Sequence, residues 1–353
     1  MVLLAHQGRP GSNDFTSLEN HAEIFSEVLG FEVKFVPDIT GEKAITAIRE
    51  LDYGEVLLLD NVRFVSDECI SKSIEEHAKS TLVKTLGRFF DYFVLDGFAV
   101  SHRYHASVVG FATVIPSTMG MLMEREVRVL SEYMGRGSKN IVILGGSKVN
   151  DAVKYIEKLI ESGRVEKILL TGLVAFVFHI ANGLKVSNEI KREIMTKFGG
   201  CIPKAKELLK SGLIELPADY AIDLGERKEI LIDELYKFNT KPKDIGINTV
   251  YKYVEMIDGS STVCIRGPAG VIEKKEFELG TRNLLEKLIQ KNAKIIFCGG
   301  HLVSVLNKLN IDKSNYYIST AGGAALEFIA KGTLAGIEAL KLSKKIFGQK
   351  VLR

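Results

Sequence analysis

Short apolar runs of three to six residues recur along the chain, each closed by glycine, proline or charge. Most are followed by an apolar stripe at helical spacing. This alternation predicts βα units on parallel sheets. Residues 2–5, 33–36, 56–59 and 92–95 read as buried strands in the first third of the chain. A helix is predicted from about Ser17, with Ala22, Phe25, Val28 and Leu29 on one face and Gly30 as its stop. Met123, Val127, Leu130 and Met134 form one helical stripe before a Gly135-Arg136-Gly137-Ser138 break, which predicts a helix connecting two domains. Beyond it, residues 141–144, 168–170, 263–265, 295–298 and 316–319 read as strands that run into glycine turns. The expected fold class is α/β, with two doubly wound parallel-sheet (Rossmann-like) domains. The first takes residues 1–117, the connecting helix and hinge 118–138, and the second domain 139–331.

The two halves close their strands with different chemistry. In the first, the strands end in His6 and Arg9, in Arg63, and in His102, Arg103 and His105. Strands of a parallel sheet present their C-terminal ends along one edge, where open α/β sheets hold ligands, so these cations are expected to converge on one anion. In the second half the turns are Gly145-Gly146-Ser147-Lys148, Thr171-Gly172, Arg266-Gly267-Pro268-Ala269-Gly270, Gly299-Gly300-His301 and Thr320-Ala321-Gly322-Gly323. Glycine lets backbone N–H groups approach a ligand, and helix N-termini carry partial positive charge. Together the loops predict a cradle for a nucleotide or polyphosphate. Lys148 is the lysine best placed to touch phosphate. P-loop, GxGxxG, HExxH and GxSxG motifs are all missing from the sequence.

Composition narrows the class. At 353 residues, 46% hydrophobic and 26% charged, the chain has material for two ordinary globular cores. A net charge of +3 argues against a general polyanion binder, so neither nucleic acid nor a membrane surface is expected as partner. No apolar run reaches membrane-spanning length. Cys69, Cys201, Cys264 and Cys298 form no metal or disulfide pattern, which fits a reducing, cytoplasmic setting. A cationic pocket in one half and a glycine cradle in the other describe a two-substrate phosphoryl-transfer enzyme. Such chemistry depends on positioning, charge neutralisation and exclusion of water, which closure of two domains supplies.

The motifs, taken in order, resemble phosphoglycerate kinase nearly end to end. His6-Gln7-Gly8-Arg9-Pro10 resembles the family's S-H-L-G-R-P, and Leu58-Leu59-Asp60-Asn61-Val62-Arg63-Phe64 its L-L-E-N-L-R-F. Asp96 to Ser107 resembles D-A-F-G-x-A-H-R-x-H-A-S. Gly145 to Asp151 resembles G-G-A-K-V-x-D, Gly267 to Glu273 resembles G-P-x-G-V-F-E, and Ser319 to Glu327 resembles S-T-G-G-G-A-S-L-E. The resemblance implies reversible, Mg²⁺-dependent transfer between 1,3-bisphosphoglycerate and ADP, giving 3-phosphoglycerate and ATP. It implies that His6, Arg9, Arg63 and Arg103 hold phosphoglycerate, that Lys148 touches nucleotide phosphates and Glu273 the ribose. Gly172, Cys298, Gly299, Gly300 and His301 would line the nucleotide, while Gly322 and Gly323 join Lys148, Gly299 and Gly300 around the transferring phosphoryl group. It further implies that a C-terminal segment of about 332–353 completes the first domain, in a monomer or homodimer.

Departures from the family pattern accompany the matches. The family's second lysine is Ala152, its triple-glycine loop is reduced to Thr171-Gly172-Leu173, and the Asn of N-G-P is Arg266. His301 replaces the metal-associated Asp, and imidazole is a poor ligand for magnesium. The metal ligand is therefore left open, with Asp244 matching the acid of the family's D-[IL]-G-P segment. Arg266 is a further catalytic candidate, supplying charge in place of the lost lysine. These swaps resemble the archaeal branch. The family's R-V-D-F-N strand and loop, expected ahead of His6, find no match here. The alternatives are thus a non-catalytic nucleotide-binding relative or a truncated, weakly active form. Leaving the resemblance aside, an α/β dehydrogenase or a binding protein for anionic metabolites is the other class, without its glycine fingerprint.

Overall fold

Val56–Leu59 carries four consecutive buried apolar side chains, the mark of a strand covered on both faces. In the computed structural model, which describes residues 1–133, 135, 139–309 and 316–348, this strand is the centre of a small parallel sheet. Val2–Leu3 (β1), Val33–Val36 (β2) and Val56–Leu59 (β3) pair in the order β1-β3-β2. Phe93–Leu95 (β4) pairs in parallel with Ser117–Met119 (β5) as a separate two-stranded sheet. The predicted four strands therefore lie in two sheets, and β5 is an element that Pro116 had concealed. β4 is also less buried than its apolar sequence suggests. Leu95 is enclosed and Phe93 stacks on Phe111 with ring centroids 5.0 Å apart, but Tyr92 and Val94 are exposed. A two-stranded sheet leaves most of its faces open.

The helix Glu19–Leu29 forms where its spacing predicts, and Gly30 closes it in the left-handed conformation. Its stripe is rotated from expectation: Ala22 is buried beside Leu18, while Phe25, Val28 and Leu29 stay exposed. One core lies under β3, where Leu57, Leu59, Val83, Leu86 and Phe111 pack together. The C-terminal helix Ala335–Phe347 belongs to this unit. Gly336 donates its N–H to the Ser101 carbonyl at 2.8 Å, and Ser343 Oγ accepts from the Ser117 N–H at 2.9 Å.

The second unit is built on six parallel strands. In chain order its strands are Lys139–Leu144 (β6), Lys167–Leu170 (β7), Ile214–Glu215 (β8), Asp219–Asp223 (β9), Arg227–Leu231 (β10), Asp244–Ile245 (β11), Ser261–Arg266 (β12), Lys294–Cys298 (β13) and Tyr316–Ser319 (β14). The large sheet runs β14-β13-β12-β6-β7-β8, all parallel. β10-β9-β11 is a small antiparallel sheet absent from the sequence reading. Ile141, Ile143, Val263, Ile265, Ile295 and Phe297 alternate into a core closed by the helices Ile247–Glu255 and Leu279–Ile289. Burying one such side chain contributes about 1.5–3 kcal/mol.

The compact units are Met1–Glu124 with Thr333–Arg353, and Arg125–Gly332. The chain passes between them inside the helix Met121–Tyr133. Met123 and Leu130 of the predicted stripe are buried, and Val127 is half-buried. Met134 and the hinge residues 136–138 lie outside the described residues.

Candidate active site

The loop after β1 is held open by the loop after β3. Asp60 and Asn61 are buried directly beyond the β3 apolar run. Asp60 Oδ1 accepts the N–H of Leu18 at 2.9 Å, and Asn61 Nδ2 donates to the carbonyls of Gln7 at 2.8 Å and Thr16 at 2.9 Å. Arg63 follows in a short 3-10 turn. It is buried, and its Nη1 donates to the Gly8 carbonyl. Arg63 thus anchors the loop of His6 as well as contributing charge.

His6, Arg63, Arg103 and His105 come together within this unit. Burial, reinforced by Arg63 and Arg103, holds the His6 imidazole down to about 4. His105 is likewise held to about 4 by burial, then by Arg103, Arg63, His6 and His77. Both imidazoles are therefore neutral at pH 7, leaving the positive charge to the arginines. Arg9 is exposed on the same loop, whose turn is closed by Ser12 Oγ donating to the Arg9 carbonyl at 2.7 Å. Behind the cluster lies Glu68, fully enclosed, its carboxyl pushed up to about 7 by burial against the opposing pull of its bonds from Ser107.

In the second unit, strand ends β6, β7, β12 and β13 surround a cleft of about 700 Å³. Lys148, Gly172, Arg266, Glu273, Cys298, Gly299, Gly300 and Gly322 all line it. Gly323 begins the helix Gly323–Lys331 beside Gly322, and the His301 side chain lies outside the described residues. The glycines divide into two kinds. Gly145 and Gly146 donate their N–H groups to the carbonyls of Arg266 (2.8 Å) and Pro268 (2.9 Å), so these amides bind neighbouring loops and not a ligand. Gly267, at φ +79°, and Gly172, at φ +61°, pack backbone against backbone there: a Cβ on Gly172 would lie 2.8 Å from the Gly146 nitrogen. Gly299 and Gly300 instead face open space. The glycine-rich loops on the β6 side are a close-packed floor, so the amides of Gly145 and Gly146 are spent within it.

Arg266 is held over the Tyr155 ring, 4.7 Å from its centroid, and a Cβ on Gly322 would reach within 3.3 Å of its Nε. Ala152 lines the same cleft and brings no charge. Cys298 Sγ lies 3.6 Å from Cys264 Sγ; that contact and burial push its thiol far up, so it is an inert part of the wall. Sequence reading missed Lys241 and Lys243, which also line the cleft from the segment before β11. Lys243 is paired with Asp223 at 2.5 Å and stands over the Phe277 ring. It also missed Glu126, which looks like a surface position but is buried. Glu126 accepts from Ser319 Oγ (2.9 Å), Thr320 N (2.6 Å) and Thr320 Oγ1 (2.7 Å), fixing the turn that leads to Gly322.

The residues present do not fit a protein-held magnesium. Among the described residues no group of three or more His, Cys, Asp or Glu could hold a metal. Asp244, the acid matched to the family segment, is enclosed; it accepts from Arg227 Nη1 at 2.8 Å, the Gly280 N–H at 2.6 Å and the Ile245 N–H at 2.9 Å. Burial pushes its carboxyl up to about 7. Asp244 is a structural anchor.

Parallel strands ending in cations in one unit and in a glycine-lined cleft in the other define an α/β protein of the type that holds ligands at strand C-terminal ends. The phosphoglycerate kinase family model matches residues 1–332. Phosphoglycerate kinase of Saccharolobus solfataricus is 40% identical over 97% of this chain and 85% of its own length; that of Methanopyrus kandleri is 40% identical over 96% and 84%. The crystal structure of phosphoglycerate kinase from Pyrococcus horikoshii OT3 superposes with a TM-score of 0.85 at 38% identity, covering 98% of this chain and 87% of that one. The chain belongs to the phosphoglycerate kinase family, a family of kinases.

Proposed function

We propose that this chain catalyses the reversible transfer of a phosphoryl group between 1,3-bisphosphoglycerate and ADP, giving 3-phosphoglycerate and ATP. The observation that carries the reading is the joint placement of Lys148, Arg266, Glu273, Gly299 and Gly322 around one cleft of about 700 Å³, a volume within the range of small-molecule sites. In this reading the nucleotide occupies that cleft, with Gly172, Cys298 and the Gly299-Gly300-His301 turn along it. Lys148 meets its phosphates and Glu273 its ribose. Gly299, Gly300, Gly322 and Gly323 surround the moving phosphoryl, and Arg266 stabilises its charge. His6, Arg9, Arg63 and Arg103 hold 3-phosphoglycerate. The arginines neutralise its carboxylate and phosphate, while His6, neutral at pH 7, offers hydrogen bonds.

Transfer then needs hinge-bending closure of the two units, which excludes water. Four free cysteines support a cytoplasmic setting. A coupled assay with MgATP and 3-phosphoglycerate tests the proposal, and turnover that requires both substrates is the expected result. A purified chain that binds ATP and transfers nothing would sink it in favour of the non-catalytic relative. Substituting Arg266 by Ala is expected to lower kcat about 100-fold or more, by the scale of a lost transition-state contact. Near-normal turnover would remove Arg266 from the catalytic set.

A further inference from the structure

The loop that carries Arg103 is pinned on its C-terminal side by groups outside it. Upstream of the pin points, the N–H of Arg103 donates to the Val100 carbonyl at 2.9 Å, closing a turn. Next, His77 Nε2 lies 2.9 Å from the Tyr104 carbonyl. Glu68 then grips three successive points. Its backbone carbonyl accepts the Ala106 N–H at 3.2 Å, its Oε2 accepts the Ser107 N–H at 2.9 Å, and its Oε1 accepts from Ser107 Oγ at 2.5 Å. The short helix Ala106–Val109 has no side-chain cap of its own, since its N-cap residue is His105. The carboxylate of Glu68 takes that place from another segment of the chain. His105 Nδ1 lies 3.8 Å from the same Oε1. With its imidazole neutral, this is a dipolar contact and not an ion pair.

We propose that Glu68 is a positioning residue for the phosphoglycerate site: by capping Ala106–Val109 and holding Ser107, it fixes the loop on which Arg103 meets the anion. Glu68 is fully enclosed and cannot itself reach a substrate. Arg63 is near enough for its charge to act on the Glu68 carboxyl, favouring the ionised form. The inference rests on the reading of His6, Arg63 and Arg103 as the phosphoglycerate pocket.

Three variants test it: Glu68→Ala, Glu68→Gln and Ser107→Ala. Glutamine keeps one acceptor for the Ser107 N–H and a donor toward its hydroxyl. The expected result for Glu68→Ala is a KM for 3-phosphoglycerate raised about 10- to 100-fold, as for loss of a charged hydrogen bond. The KM for ATP should stay within about 2-fold and kcat within about 3-fold. Glu68→Gln should return the 3-phosphoglycerate KM to within about 3-fold of the parent, and Ser107→Ala should raise it about 3- to 10-fold. Equal rises in both KM values, or an unchanged 3-phosphoglycerate KM, overturn the proposal. If Glu68→Ala fails to fold, Ser107→Ala decides by the same criteria. Calorimetric titration of 3-phosphoglycerate into the same proteins separates the two readings. If the parent binds it without turnover, the kinase proposal fails while the Glu68 role is still read from the dissociation constants. A parent that does not bind it sinks both.

Discussion

Two neutral imidazoles and one half-neutral carboxyl share the cationic cluster, and their titrations oppose each other. His6 and His105 are held to about 4 in the folded chain against about 6.5 when exposed. The unfolded chain binds protons first between those values, so this contribution is complete above about pH 6.5 and is lost as pH falls toward 4. Glu68 behaves oppositely. Raised to about 7 from an ordinary 4.5, its contribution is complete below about pH 4.5 and is lost as pH rises through 7. The groups that set its field are Arg63, Asp67 and the neutral His105. Glu68→Gln removes one slope and leaves the other. Its melting temperature relative to the parent is therefore expected to climb between pH 4.5 and 7. A flat difference across that range would show that Glu68 does not titrate there. The polar residues hardest to foresee were of this kind. Glu68 and Glu126 look like surface acids in sequence, and only the N–H and hydroxyl donors that converge on them explain their burial.

Loops, more than strands, give this protein its sites, and single residues tie those loops to the sheet. Asn61 donates to two carbonyls of the Gln7–Thr16 loop and accepts from the Arg63 N–H at 3.2 Å, all while buried. Asn61→Ala strands these groups. It is expected to cost about 2–3 kcal/mol by denaturant titration and to weaken 3-phosphoglycerate more than ATP. In the other unit, Gly172→Ala places a Cβ against the Gly146 nitrogen at a positive φ. The expected cost is about 2 kcal/mol or more, with a raised KM for ATP. A variant as stable as the parent would mean that the cleft floor is softer than its close backbone contacts imply.

Across the whole molecule, the chain leaves the first unit inside one helix and returns to it after Gly332. Ile337, Ala339 and Leu340 of the returning helix are buried, and a Cβ on Gly336 would lie 2.6 Å from a Leu95 methyl. A chain ending at Gly332 is therefore expected to lose the cooperative melting of the first unit in calorimetry. It should keep the second unit's transition and its affinity for ATP. Loss of both together would mean that the units do not fold independently.

Strand positions were legible along the sequence because a strand buried on both faces must be apolar throughout, as residues 56–59 and 141–144 are. The cations after β1 and β3 and the glycines of the second unit were legible for a related reason: parallel strands of one sheet deliver their C-terminal ends to one edge, whereas the Arg103 loop follows a strand of another sheet. Sheet membership was not legible. β4 and β5 separate from β1-β3-β2, and β9 to β11 turn antiparallel, because pairing is settled by partners distant in sequence. The fate of each glycine and each buried acid was equally hidden. Whether Gly146 serves a ligand or the Pro268 carbonyl, and whether Glu68 faces water or caps Ala106–Val109, depends on which loop lies opposite. Sequence alone determined which chemistry reaches the strand ends. Tertiary structure decided which of those groups stay available and which are bound to one another, since a buried polar group must find its partner wherever the fold supplies one.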